Sequence, residues 1–213
     1  MVPTHNSTLI AGLALYVLFC DGEAGAECYC AASDQKQASL VFRTAKMMAE
    51  QGSLGSRCKV LNTNGNQRII YGNSFLAVIP ASESGSHGFD SHFIVGDEIH
   101  AWAGREFHDV LHTSTGARTQ PLELYITTAG YDRLSVCYEK YAYACRVRDG
   151  KLDDETFLPV IYETTEGEDW TSPEVWRKAN PNLGVSVFEE YIARECEKAK
   201  LDPAYENTFR RLH

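Results

Sequence analysis

The sequence has no apolar run long enough to cross a bilayer. Its most hydrophobic stretch, Leu9 to Cys20, falls short of the roughly 20 residues that a spanning helix needs. No Lys or Arg precedes it, as a secretory signal would require, so Ala24-Gly25-Ala26 only mimics a cleavage site. No membrane partner is expected. Paired cysteines are missing too: the seven are odd in number and none stands in a CxxC pair, which argues against a zinc site. They are expected to be buried free thiols of a reducing cytosol. Positive charge is scarce, since 20 Lys and Arg against 29 Asp and Glu leave a net charge of −9. Phosphate neutralisation needs clustered cations, so any contact with DNA must be local, shared across an oligomer, or made by a part outside this sequence. Internal repeats and low-complexity tracts are absent.

What is present is globular. The 213 residues, 44% hydrophobic and 23% charged, suit one large α/β domain, alone or with a small appendage. Leu9 to Phe19 reads as a buried helix opening after Ser7-Thr8 and stopped by Gly22 and Gly25. Glu27 to Ala32 is a strand, with Cys28 and Cys30 on one face. Ser33-Asp34 caps a helix from Gln35 to Gln51, on which Ala38, Val41, Phe42, Ala45 and Met48 recur at helical spacing. Strands follow at Arg68 to Tyr71 and Ser74 to Ile79 around a Gly72-Asn73 turn. Beyond a small-residue loop at Ser82 to Gly88, strands are expected at His92 to Val95, Leu122 to Ile126 and Leu158 to Tyr162. Helices are expected at Arg105 to Thr115, Asp132 to Arg148, and from Ser186 onward with a break at Pro203. Alternating strands and helices imply a mostly parallel sheet covered on both faces.

Three segments suggest chemistry. His92-Phe93-Ile94-Val95-Gly96-Asp97-Glu98 is an apolar strand ending in two acids, the Walker B arrangement. There the first carboxylate holds Mg²⁺ and the second orients or deprotonates the attacking water; two solvated acids at a strand end would look the same. Thr127-Thr128-Ala129-Gly130 also follows an apolar strand and stands where a γ-phosphate sensor can lie, or is simply a Thr-rich turn. Ser7-Thr8-Leu9-Ile10-Ala11-Gly12 looks like the tail of a phosphate-binding loop, in which backbone amides and a Lys cradle phosphates and a hydroxyl binds Mg²⁺. No Gly-Lys precedes it; Thr4-His5-Asn6 stands there instead. The histidines at 87, 92, 100, 108 and 112 are read as ordinary surface or loop residues, because His108 and His112, four apart on a helix, lack an HExxH context.

Taken in order, these segments resemble the terminase large subunits of tailed phages. The resemblance runs from Ser7 onward through Ser33-Asp34-Gln35-Lys36-Gln37-Ala38, Gly85-Ser86-His87-Gly88-Phe89-Asp90, Asp97-Glu98 and Thr127 to Gly130. It continues through Asp169-Trp170-Thr171-Ser172-Pro173, Trp176 and Lys178-Ala179-Asn180-Pro181-Asn182-Leu183-Gly184. It implies a RecA-like P-loop ATPase with ATP and Mg²⁺, acting on double-stranded DNA with a portal protein and a terminase small subunit. A ring of copies on a capsid in the cytoplasm of the infected bacterium is implied as well. Asp97 then matches the Mg²⁺-holding acid, Glu98 the catalytic carboxylate, and Ser7, with Thr8, the phosphate-loop hydroxyl. Thr127 and Thr128 match the coupling motif. The family's upstream adenine-binding segment, its phosphate-loop Lys and its C-terminal nuclease domain have no counterpart here. Residues 7–185 are expected to form the ATPase core and 186–213 a helical segment leading toward the nuclease. A non-catalytic fragment that binds no nucleotide and a helicase-like ATPase are the competing readings.

Residues 1–6 resemble the C-terminal splice junction of an intein. In such a junction an Asn cyclises and cleaves its own peptide bond, the preceding His assists proton transfer, and the following Ser accepts the upstream half. His5, Asn6 and Ser7 stand in that order, where the missing Lys would meet its Ser; a chance tripeptide or a decayed phosphate loop would look the same.

Overall fold

A computed structural model describes residues 5–63, 65–83 and 88–212. The chain divides into two compact units between Tyr138 and Glu139. The first carries a six-stranded sheet: β1 (Glu27–Ala32), β2 (Lys59–Thr63), β3 (Asn66–Tyr71), β4 (Ser74–Pro80), β5 (Ser91–Asp97) and β6 (Leu122–Ile126), in the order β2-β3-β4-β1-β5-β6. Strands β4, β1, β5 and β6 are parallel, and β2-β3-β4 is an antiparallel meander. The expected mostly parallel α/β sheet is found.

The apolar pattern explains the layering. Strand β1 is buried along nearly its whole length, as a central parallel strand must be. Cys28 and Cys30 point to one face, where α1 (His5–Cys20) and α2 (Gln35–Gln51) pack with Leu76, Phe93 and Val95. Tyr29 and Ala31 point to the other, against Ile94, Trp102, and Phe107 and Leu111 of α3 (Glu106–Thr113). Helix α2 begins where its cap dictates: the Asp34 carboxylate accepts from the amides of Lys36 at 2.8 Å and Gln37 at 3.0 Å. Among the described residues no helix is long and apolar enough to cross a membrane.

The second unit is helical. It takes up α4 (Val136–Arg148) past Tyr138 and adds α5 (Pro173–Ala179), α6 (Glu189–Leu201) and α7 (Pro203–Leu212). Trp176, Ile192, Cys196 and Phe209 form its core, with Trp170 and Leu183 packed on it. The 169–184 segments therefore do structural work here: Ser172 caps α5 ahead of Pro173, and the Trp176 indole donates to the Trp170 carbonyl at 2.7 Å. The boundary expected at residue 185 falls inside this unit.

Several expectations are corrected. Helix α1 opens at His5, so Ser7 and Thr8 lie inside its first turn rather than before it. Leu158 to Tyr162 is not a strand: Pro159 removes a ladder donor, and Leu158 is 86% exposed with no strand beside it among the described residues. Asp132 to Ser135 is a capping turn, with α4 starting only at Val136. Strand β2 and helix α5 were not expected. All seven cysteines are free, but only Cys28, Cys30, Cys137 and Cys196 are buried, and Cys20 is exposed. Part of the 85–90 segment, His87 included, lies outside the described residues, as do Met1 to Thr4.

One side chain closes the N-terminal edge of the sheet. Arg118, 7% exposed, ion-pairs with Glu23 and Asp90 at 3.0 Å each. It also donates to the carbonyls of Ala24, Gly25 and Asp90 at 2.9 to 3.3 Å. Beside it the buried His92 meets Asp21 at 2.6 Å. Arg118→Met should leave three carbonyls and two carboxylates without their donor and cost about 2–4 kcal/mol, read as a fall in the urea midpoint. Arg177→Met, which breaks the exposed pair with Glu189, should cost no more than about 1 kcal/mol. Equal losses from the two variants would refute the assignment of Arg118 as the staple.

Candidate functional site

Strand register lines up the candidate residues. Ala31 pairs with Gly96 and Gly96 with Tyr125; one step on, Asp97 pairs with Ile126. Asp97 thus ends β5 at the same edge where β6 releases Thr127. Helix α1 reaches this edge as well. It enters β1 through the short 21–26 turn, so it runs back along the sheet. Its 16 residues cover about 24 Å at 1.5 Å per residue, against roughly 20 Å for the six residues of β1. The first turn of α1, with Ser7 buried at 6% exposure, therefore lies toward the C-terminal edge. Thr8, one residue on, is exposed.

Close packing holds the end of β5. Gly96 has no room for a side chain: a Cβ there would lie 2.4 Å from the Tyr125 ring and 3.2 Å from that of Trp102. The Trp102 indole, edge-on to Tyr125 here, donates to the Asp97 carbonyl at 3.1 Å. The Asp97 carboxyl is pushed up to about 6, first by burial and then by the adjacent Glu98 carboxylate. Glu98 itself has φ of +48°, the one non-glycine residue with positive φ among those described, which is a strained setting for this side chain.

Glu98 is tied to the Thr127 segment through a histidine. His100 Nδ1 lies 3.0 Å from Glu98 Oε2 and 3.0 Å from Thr127 Oγ1. The Thr127 hydroxyl donates to the Thr128 carbonyl at 2.9 Å and accepts from the His100 amide at 3.2 Å. With one carboxylate and one committed hydroxyl as neighbours, Nδ1 is the ring nitrogen that carries a proton. The Thr128 amide donates to Glu98 at 3.4 Å, and the buried Cys137 thiol approaches Thr127 at 3.8 Å. Gly130 belongs to the same packing, since a Cβ there would sit 3.1 Å from His100 Cβ.

The structure thus gathers Asp97, Glu98, Thr127 and Thr128, and it adds His100, Cys137 and Trp102, which sequence reasoning passed over. The reading of the histidines as surface or loop residues is corrected for His92 and His108, whereas His112 is exposed as expected. His92 and His108 are 2% and 4% exposed, and His100 bridges the two segments. His112 meets Glu123 at 2.7 Å. Their burial follows from where β5 and α3 face the core, which spacing alone does not reveal. Among the described residues no three His, Cys, Asp or Glu side chains gather closely enough to hold a metal ion.

The chain matches the family model of the terminase large subunit ATPase domain over residues 4–146. It is 38% identical over 126 residues to protein YmfN of Escherichia coli K12, covering 59% of this chain and 28% of that protein. It is 27% identical over 212 residues to the large terminase subunit of Enterobacteria phage HK97, covering 96% of this chain and 40% of that protein. The chain therefore spans less than half the length of these curated relatives. The crystal structure of the HK97 large terminase superposes with a TM-score of 0.85 at 26% identity, over 99% of this chain and 44% of that one. The large terminase ATPase domain of Thermus phage P74-26 superposes with a TM-score of 0.56 at 14% identity, over 97% of this chain and 81% of that one, a likeness of fold.

The weakened acidity of Asp97 has a stability consequence. The folded chain holds this proton up to about pH 6, whereas the unfolded chain releases it near the ordinary carboxylate value of 3.8. Between these values the folded state binds more protons, so stability falls as pH rises, and the cost is complete above pH 6. Asp97→Asn should therefore stabilise the chain by about 1–2 kcal/mol at pH 7.5, allowing for solvent screening, and by almost nothing at pH 4. Thermal melts of both proteins at the two pH values check this; an equal gain at both would show that ionisation is not the cause.

Proposed function

The chain belongs to the terminase large subunit ATPase domain family, and from that premise we propose that it is the ATP-hydrolysing part of a motor that drives double-stranded DNA into a procapsid. Its partners would be a portal protein, a terminase small subunit and further copies of itself in a ring, in the cytoplasm of an infected bacterium. The observation that carries the reading is the arrangement around Glu98, a carboxylate at the C-terminal edge of a parallel sheet, bonded through His100 to the first residue after the neighbouring strand.

In this reading Glu98 takes the proton of the attacking water, and His100 and the Thr128 amide hold the carboxylate in position. Thr127 and Thr128 sense the γ-phosphate and pass its loss to Glu98 through His100. Asp97 and Ser7 are hard oxygen donors that fit Mg²⁺, whose other ligands would be phosphate and water. When bound, the cation neutralises charge on the phosphates, and it would draw Asp97 back into its ionised form. The phosphate cradle is the incomplete part. The residues before Ser7 are Thr4-His5-Asn6, without Gly-Lys.

We also read His5-Asn6-Ser7 as an intein junction, on the order of the three residues and the place of Ser7 in the first turn of α1. The Asn6 amide nitrogen would attack its own carbonyl and release Ser7, whose Oγ would have accepted the upstream half. The family match begins at Thr4, ahead of this tripeptide, so decay of the phosphate loop is the reading to be tested against it.

The isolated chain should bind ATP weakly or not at all with Mg²⁺ present; micromolar affinity for a labelled analogue would overturn the reading of the loop. Once a Gly-Lys-bearing upstream segment is fused directly to Ser7, the product should hydrolyse ATP. Glu98→Gln should then keep nucleotide binding and lower turnover by about 10²–10⁴-fold. Turnover at the parent rate would refute the role of Glu98, and a fused product that binds no ATP would favour a non-catalytic fragment.

The junction has its own test. Mixed with an upstream intein half, the chain should yield ligated product by mass spectrometry, and Asn6→Ala should block release of the intein. A folded chain that never ligates would leave loop decay as the account.

A further inference from the structure

The charge of this chain is unevenly placed. Between Glu50 and Glu83 there is no acidic residue, and Arg57, Lys59 and Arg68 give that stretch a charge of +3, leaving −12 for the rest. The stretch is the β2-β3-β4 meander with its approach. Strand register puts its cations on the sheet. Lys59 pairs with Ile70, and Leu61 with Arg68, which in turn pairs with Ala77. Paired residues share a face, so Lys59, Leu61, Arg68, Ile70 and Ala77 lie on the side opposite α1 and α2. Lys59 and Arg68 are diagonal neighbours there, with Cα atoms roughly 7–8 Å apart.

This end of the face is open. Lys59, Thr63, Asn66 and Arg68 are exposed, and Leu61, Ile70 and Phe75 are half-buried. The arginines are held by rings: the Arg68 guanidinium lies 4.8 Å from the centroid of Phe75. On the other side of the sheet, where Tyr71 packs against Phe19 of α1, Arg57 lies 5.4 Å from the Tyr71 centroid and donates to its hydroxyl at 2.9 Å. Stacking on an aromatic face fixes the plane of a guanidinium without neutralising it, and among the described residues no carboxylate is ion-paired with Arg68. Elsewhere in this unit Lys46, Arg105 and Arg118 are paired with carboxylates. Cations that are oriented yet unneutralised suit a polyanion.

We propose that the outer face of the β2-β3-β4 meander binds the phosphate backbone of duplex DNA, with Lys59 and Arg68 as the principal contacts. This rests on the packaging reading above and gives it the local basic surface that the overall charge of −9 withholds. Contacts made to phosphate carry no sequence information, as translocation along any genome requires. The amide and hydroxyl groups of Thr63 and Asn66 at the hairpin end, a register pair on the same face as Arg68, extend the same polar surface.

The test is titration of the chain itself, at several salt concentrations from about 25 mM upward, with two fluorescent duplexes of unrelated sequence. Both should bind alike, and each neutralised phosphate should contribute a slope of about −0.9 to the plot of log K against log salt. Lys59→Gln with Arg68→Gln should flatten that slope by close to 2 and weaken binding about tenfold or more at low salt. Arg43→Gln, which removes an exposed cation from α2 on the other side of the sheet, should leave the slope unchanged. Circular dichroism and melting confirm that the variants are folded. Undetectable binding at the lowest salt, a parental slope in the double variant, or an equal effect of Arg43→Gln would overturn the proposal. Loss of self-association rather than DNA affinity in the double variant would assign the face to a neighbouring copy and overturn it too. The ATPase of the fused product is read separately, so failure here leaves the hydrolysis reading standing, and the reverse.

Discussion

The hydrogen-bonded core of Arg118 sets the frame for everything at the far edge of the sheet. A parallel sheet gathers chemistry at the C-terminal ends of its strands only if their N-terminal ends are held in register. Here the turn from α1 into β1, the approach to β5 and the segment before β6 converge on one guanidinium. The planar fork of five donors suits this role, since a Lys could reach one of the two other segments but not divide itself between both. With the near ends fixed, Asp97 and Ile126 are aligned by the ladder alone.

At the opposite edge the sheet creates an electrostatic conflict. Two consecutive carboxylates end a buried strand, one of them in a half-buried setting that resists ionisation and the other on left-handed backbone. The surroundings accommodate this through small residues at close approaches and through a histidine shared between two segments. Gly96 admits Tyr125 and Trp102, and Gly130 admits His100. The glycines of both motifs are thus packing requirements, and the Thr-rich segment is locked to the acidic one.

Sequence reasoning found the elements whose signals are local. The ends of β1, α2 and β6 were legible because an apolar run, an Asp cap and a Thr-Gly turn each act within a few residues. Strand β2 was missed because Lys59-Val60-Leu61-Asn62-Thr63 is an edge strand with a weak alternation, held by its partner rather than by propensity. Leu158 to Tyr162 misled for the converse reason: its residues favour a strand, but nothing pairs with it. The acids and threonines of the site could be named from their position after strands. His100 and Arg118 could not, because Arg118 acts on residues up to 95 positions away and His100 acts on Thr127, 27 positions on.

The backbone at Glu98 decides where its carboxylate is delivered. A left-handed residue is relaxed by glycine or asparagine at little steric expense, so a glutamate here carries a local cost that the rest of the fold must offset. What the conformation yields is direction: the chain turns sharply after β5, and the carboxylate meets His100 and the Thr128 amide across the strand end. The stability of the sheet and the aim of one side chain are thus tied together at a single residue.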